Sequence, residues 1–180
     1  MVKIRWIVTD SIEDVDLKDF NAEWDGIYGY FEICINNKIL GFCPDRELLP
    51  GEEGNEDILY WLSKLSDGIM QLNANQEYEI QLFSMNLAKI ILKKNDKLLV
   101  SFVNSDTNEV IWSEKIMIGE LCNEVMLNIE SFITEVQRIN SALLEADLIK
   151  KLISNKNALE TRCGYSCRSG REWDPVQSIF

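Results

Sequence analysis

The stretch that most limits how this chain can fold is GELCNEVMLNIESFITEVQRIN, residues 119–140. In it Leu121, Val125, Ile129, Phe132, Val136, Ile139 and then Leu143 recur at steps of four and three. That spacing is one apolar stripe of an α-helix, widened by Cys122, Met126 and Ile133. A stripe of this kind is stable only where it covers another apolar surface, and the best cover upstream is the strand-like stretch 77–117. A helix laid across an antiparallel sheet is the expected scaffold.

The strands of that sheet read as 77–84, 87–94, 97–104 and 109–117, with turns at Asn95-Asp96 and at 105–108. Counting outward from a two-residue Asn95-Asp96 turn sets Leu92 against Leu99 and Ala88 against Val103. With Val110, Trp112 and Ile116 these form the face expected beneath the helix. Upstream, 3–9 is β-branched and aromatic and reads as a first strand. Residues 27–35 alternate, with Phe31, Ile33 and Ile35 on one face, and return through Ile39, Leu40, Gly41 and Phe42 as a hairpin. Either two-residue loop, Asn36-Asn37 or Asn37-Lys38, keeps Leu40 and Phe42 on the face of Ile33 and Phe31.

A shorter helix follows the loop 44–54. Asn55 is positioned to cap it, and Ile58, Trp61, Leu62, Leu65, Ile69 and Leu72 form its stripe, with Gly68 marking tight packing or an early end. Past Asn140 the apolar pattern continues, but one helix over 119–160 would run about 60 Å, too long for one compact domain. A break is expected at Ser141 or within 154–157, where Asn157 and Glu160 resemble a cap; helical character fades after Thr161. The expected fold is α+β: a β-meander plus hairpin packed against a long C-terminal helix and a shorter helix. Residues 1–160 form one domain, with 161–180 as a tail.

Charge narrows function more than motifs do. Formal net charge is -12, and residues 1–60 hold 14 Asp and Glu against 5 Lys and Arg, a net of -9. That balance excludes a phosphate-backbone footprint and argues for a basic partner. There is no histidine, which removes histidine-based triads, imidazole acid–base chemistry and the commonest metal ligand. No stretch approaches a membrane span, and the apolar run before Asp10 is too short for a signal-peptide core, so no membrane partner and a cytoplasmic location are expected. Cys34, Cys43 and Cys122 sit in apolar segments and are expected to be reduced.

Three constellations stand out. The first is the acidic loop carrying Asp10, Glu13, Asp14, Asp16, Asp19, Glu23 and Asp25 with Trp24, for which Ile12, Val15, Leu17 and Phe20 are candidate anchors. It lacks the alternating oxygen ligands and central glycine of a calcium loop, which leaves a solvated loop, a metal site or an acidic docking surface as readings. The second is Asp45, Glu47, Glu52, Glu53, Glu56 and Asp57, in the same third of the chain. Together the two clusters are the candidate partner-binding face, with Tyr28, Tyr30, Tyr60 and Trp61 among them as aromatic anchors or, for Trp61, core. The third is Cys163 and Cys167, whose spacing falls short of both a zinc site and a Cys-x-x-Cys redox pair. No catalytic residue, cofactor or metal is expected.

The hairpin GYFEICINNKILGF, the helix NEDILYWLSKLSDGIMQL, the meander closing on EVIWSEKI and the helix GELCNEVMLNIESFITEVQRIN follow one another across 27–150. In element order and apolar pattern they resemble the small bacterial immunity proteins of contact-dependent growth inhibition, a class of polymorphic toxin system. That resemblance implies a cytoplasmic, non-enzymatic toxin inhibitor, a monomer or weak dimer. Its partner would be the folded C-terminal domain of a cognate toxin, a basic nuclease, met by the acidic surface in place of nucleic acid. The alternatives are an acidic secretion chaperone holding a client segment, and a carboxylate-metal enzyme.

Overall fold

The computed structural model describes residues 1–18, 20, 26–72, 76–82 and 88–169, without the side chains of 162–169. The chain is α+β, with two antiparallel sheets. In the first, β1 (Val2–Val8), β2 (Tyr28–Ile35) and β3 (Lys38–Phe42) lie side by side, and the two-residue β4 (Glu56–Asp57) pairs with the start of β2. In the second, β5 (Glu77–Gln81), β6 (Ala88–Lys94), β7 (Leu98–Asn104) and β8 (Val110–Ile116) form the expected meander. Three helices accompany them: α1 (Ile58–Gln71), α2 (Ile118–Ile139) and α3 (Asp147–Ser169).

The hairpin turn is Asn36-Asn37, because Ile35 pairs with Lys38 and Asn36 takes the positive φ of 55° that asparagine tolerates. Leu40 faces Ile33 and is buried as expected. Phe42 departs from expectation: Gly41, at φ 81°, breaks the alternation, and Phe42 emerges 63% exposed, edge-on to Tyr30 on the outer face.

The α1 stripe is buried along its length, and Trp61 stacks on Phe31 at 4.7 Å. The cap is Asp57 rather than Asn55, its Oδ1 accepting from the Tyr60 N–H at 2.9 Å. Gly68 earns its place by packing: a Cβ there would meet the Tyr78 ring at 2.8 Å and a Leu92 methyl at 3.0 Å. The meander therefore rests on α1.

The helix α2 lies on β1, not principally on the meander. Phe132 meets the Trp6 ring edge-on at 5.7 Å, Trp6 Nε1 donates to Asn128 Oδ1 at 3.1 Å, and the Ile4 N–H donates to Glu124 Oε1 at 2.8 Å. An apolar stripe states that a helix covers something, not which sheet it covers. One continuous core still unites both sheets and all three helices.

The meander register also differs by one residue. Asn95, Asp96 and Lys97 form a three-residue turn, so Leu92 faces Val100 and Ala88 faces Asn104. Leu98 and Val100 are buried in place of Leu99; Val103 is buried too, but apart from the core cluster that Leu98 and Val100 join. Val110 is 54% exposed rather than covered, while Ile116 is buried.

The helical run breaks at Asn140, through a short 3-10 turn (Ser141–Glu145), as anticipated. The helix α3 then continues unbroken through 154–157 and past Thr161, so Asn157 caps nothing. A buried polar cluster joins α3 to α1: Asn155 Nδ2 donates to Ser66 Oγ at 3.0 Å and Asp67 Oδ1 at 2.9 Å, and Lys151 pairs with Asp67 at 3.0 Å. Cys34 and Cys43 are free thiols, but Cys122, on the buried side of α2, is disulfide-bonded, contrary to expectation. Among the described residues no helix is long and apolar enough to cross a membrane.

Candidate functional site

The first acidic loop is pinned at both ends. As the chain leaves β1, the Thr9 and Asp10 N–H groups both donate to the Tyr28 carbonyl, and Asp10 Oδ2 accepts from the Tyr28 N–H at 3.3 Å. Ile12 is 2% exposed, Val15, Leu17 and Phe20 pack on the core, and Asn140 Nδ2 holds the Ile12 and Val15 carbonyls at 2.9 and 2.8 Å. With the apolar residues turned inward, Glu13, Asp14 and Asp16 are left in solvent.

The second loop docks on the first sheet by backbone contact. Gly54 lies against Gly29, where a Cβ would strike the Gly29 carbonyl and the Tyr30 nitrogen, and the Gly54 N–H donates to Thr9 Oγ1 at 3.0 Å. Thr9 precedes Asp10, and Glu53 precedes Gly54. The two acidic loops therefore meet where β1 ends.

Many of the acids are already engaged within the chain. Arg5 pairs with Asp45 at 2.6 Å and Glu32 at 3.4 Å, and Lys18 pairs with Asp16 at 2.8 Å. Glu52 grips Arg46 with both oxygens, at 2.7 and 2.6 Å, and accepts from the Leu49 N–H at 2.7 Å. The guanidinium, foremost, holds its carboxyl down at about 2. Glu56 accepts from Trp61 Nε1 at 2.9 Å. Asp57 caps α1, and burial raises its carboxyl above the usual range, with nearby Asp10 adding to the rise. Tyr60 is likewise structural: its hydroxyl donates to the Gln81 carbonyl at 2.9 Å, and burial pushes it up to about 12.

The remainder is more telling. Asp14, Glu47 and Glu53 are exposed and make no side-chain hydrogen bond or ion pair among the described residues. Glu13 and Asp10 line an open cleft of about 320 Å³ with Glu135 and Arg138, whose guanidinium Glu135 holds at 2.8 and 2.7 Å. Asp19, Glu23, Trp24 and Asp25 lie outside the described residues, as do the side chains of Cys163 and Cys167. Among the described residues no group of three or more Cys, Asp or Glu is placed to hold a metal ion.

Sequence reading missed a second component of this surface. Exposed large apolar side chains gather on and beside the first sheet: Tyr28 at 39%, Ile39 at 59%, Phe42 at 63% and Leu49 at 64%. The positive φ at Gly41 that exposes Phe42 has its signal in the sequence, an isolated glycine within a strand. Comparison with protein-family models, with curated proteins and with solved structures finds no match to this chain.

Proposed function

We propose that this chain is an immunity protein, a non-catalytic inhibitor that binds the basic C-terminal domain of a cognate toxin through the acidic loops flanking its first sheet. The observation that carries the reading is the inequality of charge at the end of β1. Among the described residues of the N-terminal third of the chain, Glu13, Asp14, Glu47 and Glu53 make no side-chain bond, while Arg5, Lys18 and Arg46 are held in ion pairs and Lys3 and Lys38 alone stay unpaired. Clustered, unanswered charge on a rigid scaffold speeds and orients association with an oppositely charged partner. A nuclease supplies that charge in its substrate groove, which makes nuclease the favoured activity of the toxin. The chain acts without metal or cofactor, as a monomer or weak dimer.

The reading requires a basic toxin domain encoded in a neighbouring gene, and the test is co-expression of this chain with that domain. A one-to-one complex of two folded chains and loss of toxicity are expected; persistence of toxicity would overturn the reading. The exposed Ile39, Phe42 and Leu49 favour a second reading, a secretion chaperone, in which the client stays extended and keeps its biological activity when released. Cytoplasmic action is part of the first reading, and the disulfide at Cys122 is not what a reducing compartment favours. Thiol labelling of the chain recovered from cells decides the point: a reduced Cys122 supports the cytoplasm, an oxidised one contradicts it.

A further inference from the structure

Each sheet has two outer edges, and the fold treats them differently. At β1 the Ile4 N–H is occupied by Glu124 of α2, and at β5 the Gln81 carbonyl is occupied by the Tyr60 hydroxyl. Side chains that cover an edge in this way prevent another strand from adding to it. Among the described residues the edge of β3 has no such cover. A two-residue turn makes Ile35 and Lys38 a hydrogen-bonded pair, and the register runs on unshifted through Leu40 and Phe42; the positive φ of Gly41 changes the face of the Phe42 side chain but not the pairing phase, so the N–H and C=O groups of Ile39 and Gly41 point away from β2. No described residue bonds to those outward groups.

What flanks this edge defines its ligand. Ile39 and Phe42 present apolar surface, Phe42 resting edge-on against Tyr30 at 6.0 Å, and Leu49 adds more from the following loop. That loop, 43–54, holds Asp45, Glu47, Glu52 and Glu53 against Arg46, four negative charges to one positive, a net of -3. Asp45 remains 89% exposed at its side chain even while paired with Arg5. The edge of β8 also carries exposed apolar residues, Val110 and Ile111, but the turn before it places only Asp106 and Glu109 nearby.

From this we infer that the partner adds a strand to the edge of β3: an extended segment of about five residues, matching β3, in which apolar or β-branched side chains alternate with lysine or arginine. Main-chain bonds to Ile39 and Gly41 fix its register, the apolar residues seat on Ile39 and Phe42, and the cations face the acidic loop. The inference rests on the proposed function for the partner's basic character, and it adds the mode of engagement.

The experiment is amide hydrogen exchange, read by NMR on the full chain titrated with the acetylated peptide Lys-Thr-Lys-Ile-Lys-Val-Lys. At saturation the Ile39 and Gly41 amides should exchange about tenfold more slowly, as newly bonded edge amides do. The counterpart peptide with glutamate for lysine should leave them unchanged. A double variant, Ile39→Glu with Phe42→Glu, changes only exposed side chains and should abolish the protection. The inference is overturned if those amides do not respond, if protection appears on β8 instead, or if they grow protected with rising concentration of the chain alone, which would make a second copy the occupant. The two proposals fail separately. Toxin bound without protection of Ile39 and Gly41 removes the strand addition alone, and protection by the peptide with no toxin neutralised removes the immunity reading alone.

Discussion

The two sheets are alike in strand number and share one core, yet they differ in what joins their strands. The meander turns tightly from β6 to β7 and from β7 to β8, and its charges answer one another across strands, Lys89 with Glu79 at 3.1 Å and Lys93 with Glu77 at 3.2 Å. Over 77–117 there are 6 acidic and 5 basic residues. The first sheet has one tight turn, Asn36-Asn37, but two long connections besides: 9–27 holds 7 acids to 1 base, and 43–57, which ends in β4, holds 6 acids to 1 base. Short turns leave no backbone to project a surface, whereas long loops held on a sheet do. Under the proposed function, the difference assigns stability to what the sheets share and recognition to what only the first one has.

That division breaks most readily at its shared half. Phe132→Ala removes the ring that joins α2 to Trp6 and should cost about 3–5 kcal/mol by cavity formation. Urea unfolding should show a lower midpoint with an unchanged slope, both sheets melting together. Two separate transitions would mean the core is not shared. Gly54→Ala acts on the loop side: its Cβ would strike Gly29, so the second loop must lift and lose its bond to Thr9. A loss of roughly 1–2 kcal/mol is expected, with amide shifts confined to the neighbourhood of Thr9, Gly29 and Gly54. Shifts spreading into the meander would blur the comparison.

The smallest effect is a pH dependence. Glu52 has a folded value of about 2 against an ordinary value of 4.5, so its grip on Arg46 contributes in full above 4.5 and is lost as pH falls through about 2. Carboxyl NMR should find that midpoint and show the loop from Arg46 to Glu52 ordered at pH 4. A midpoint near 4.5 would show that the pair does not hold in solution.

The buried stripes of α1 and α2 were legible because burial imposes a helical period on the residues themselves. Their partners were not, since Ile129 and Phe132 would suit either sheet. The meander register failed on one residue of turn length, Lys97, and a period of two converts one residue into the opposite face. Among the acids, counting charge found the right third of the chain but could not distinguish Glu52 from Glu53 or Asp45 from Glu47. Arg46 makes the first difference by gripping Glu52, and Arg5 the second, 40 residues before Asp45 in sequence yet 2.6 Å from it in space. Gly29 was the overlooked clue: a lone glycine inside a strand marks close backbone approach, here to the Ile7 carbonyl of β1, which a Cβ would strike.

The central claim, that recognition belongs to the loops of the first sheet and not to net charge at large, is tested by matched charge reversal. One variant carries Asp14→Lys, Glu47→Lys and Glu53→Lys; the other carries Asp96→Lys, Asp106→Lys and Glu109→Lys in the meander turns. Each changes net charge by the same amount at exposed positions. Protection of cells against the toxin that the proposed function requires should be lost with the first set and kept with the second. Equal loss with both, or retention with both, would contradict the account.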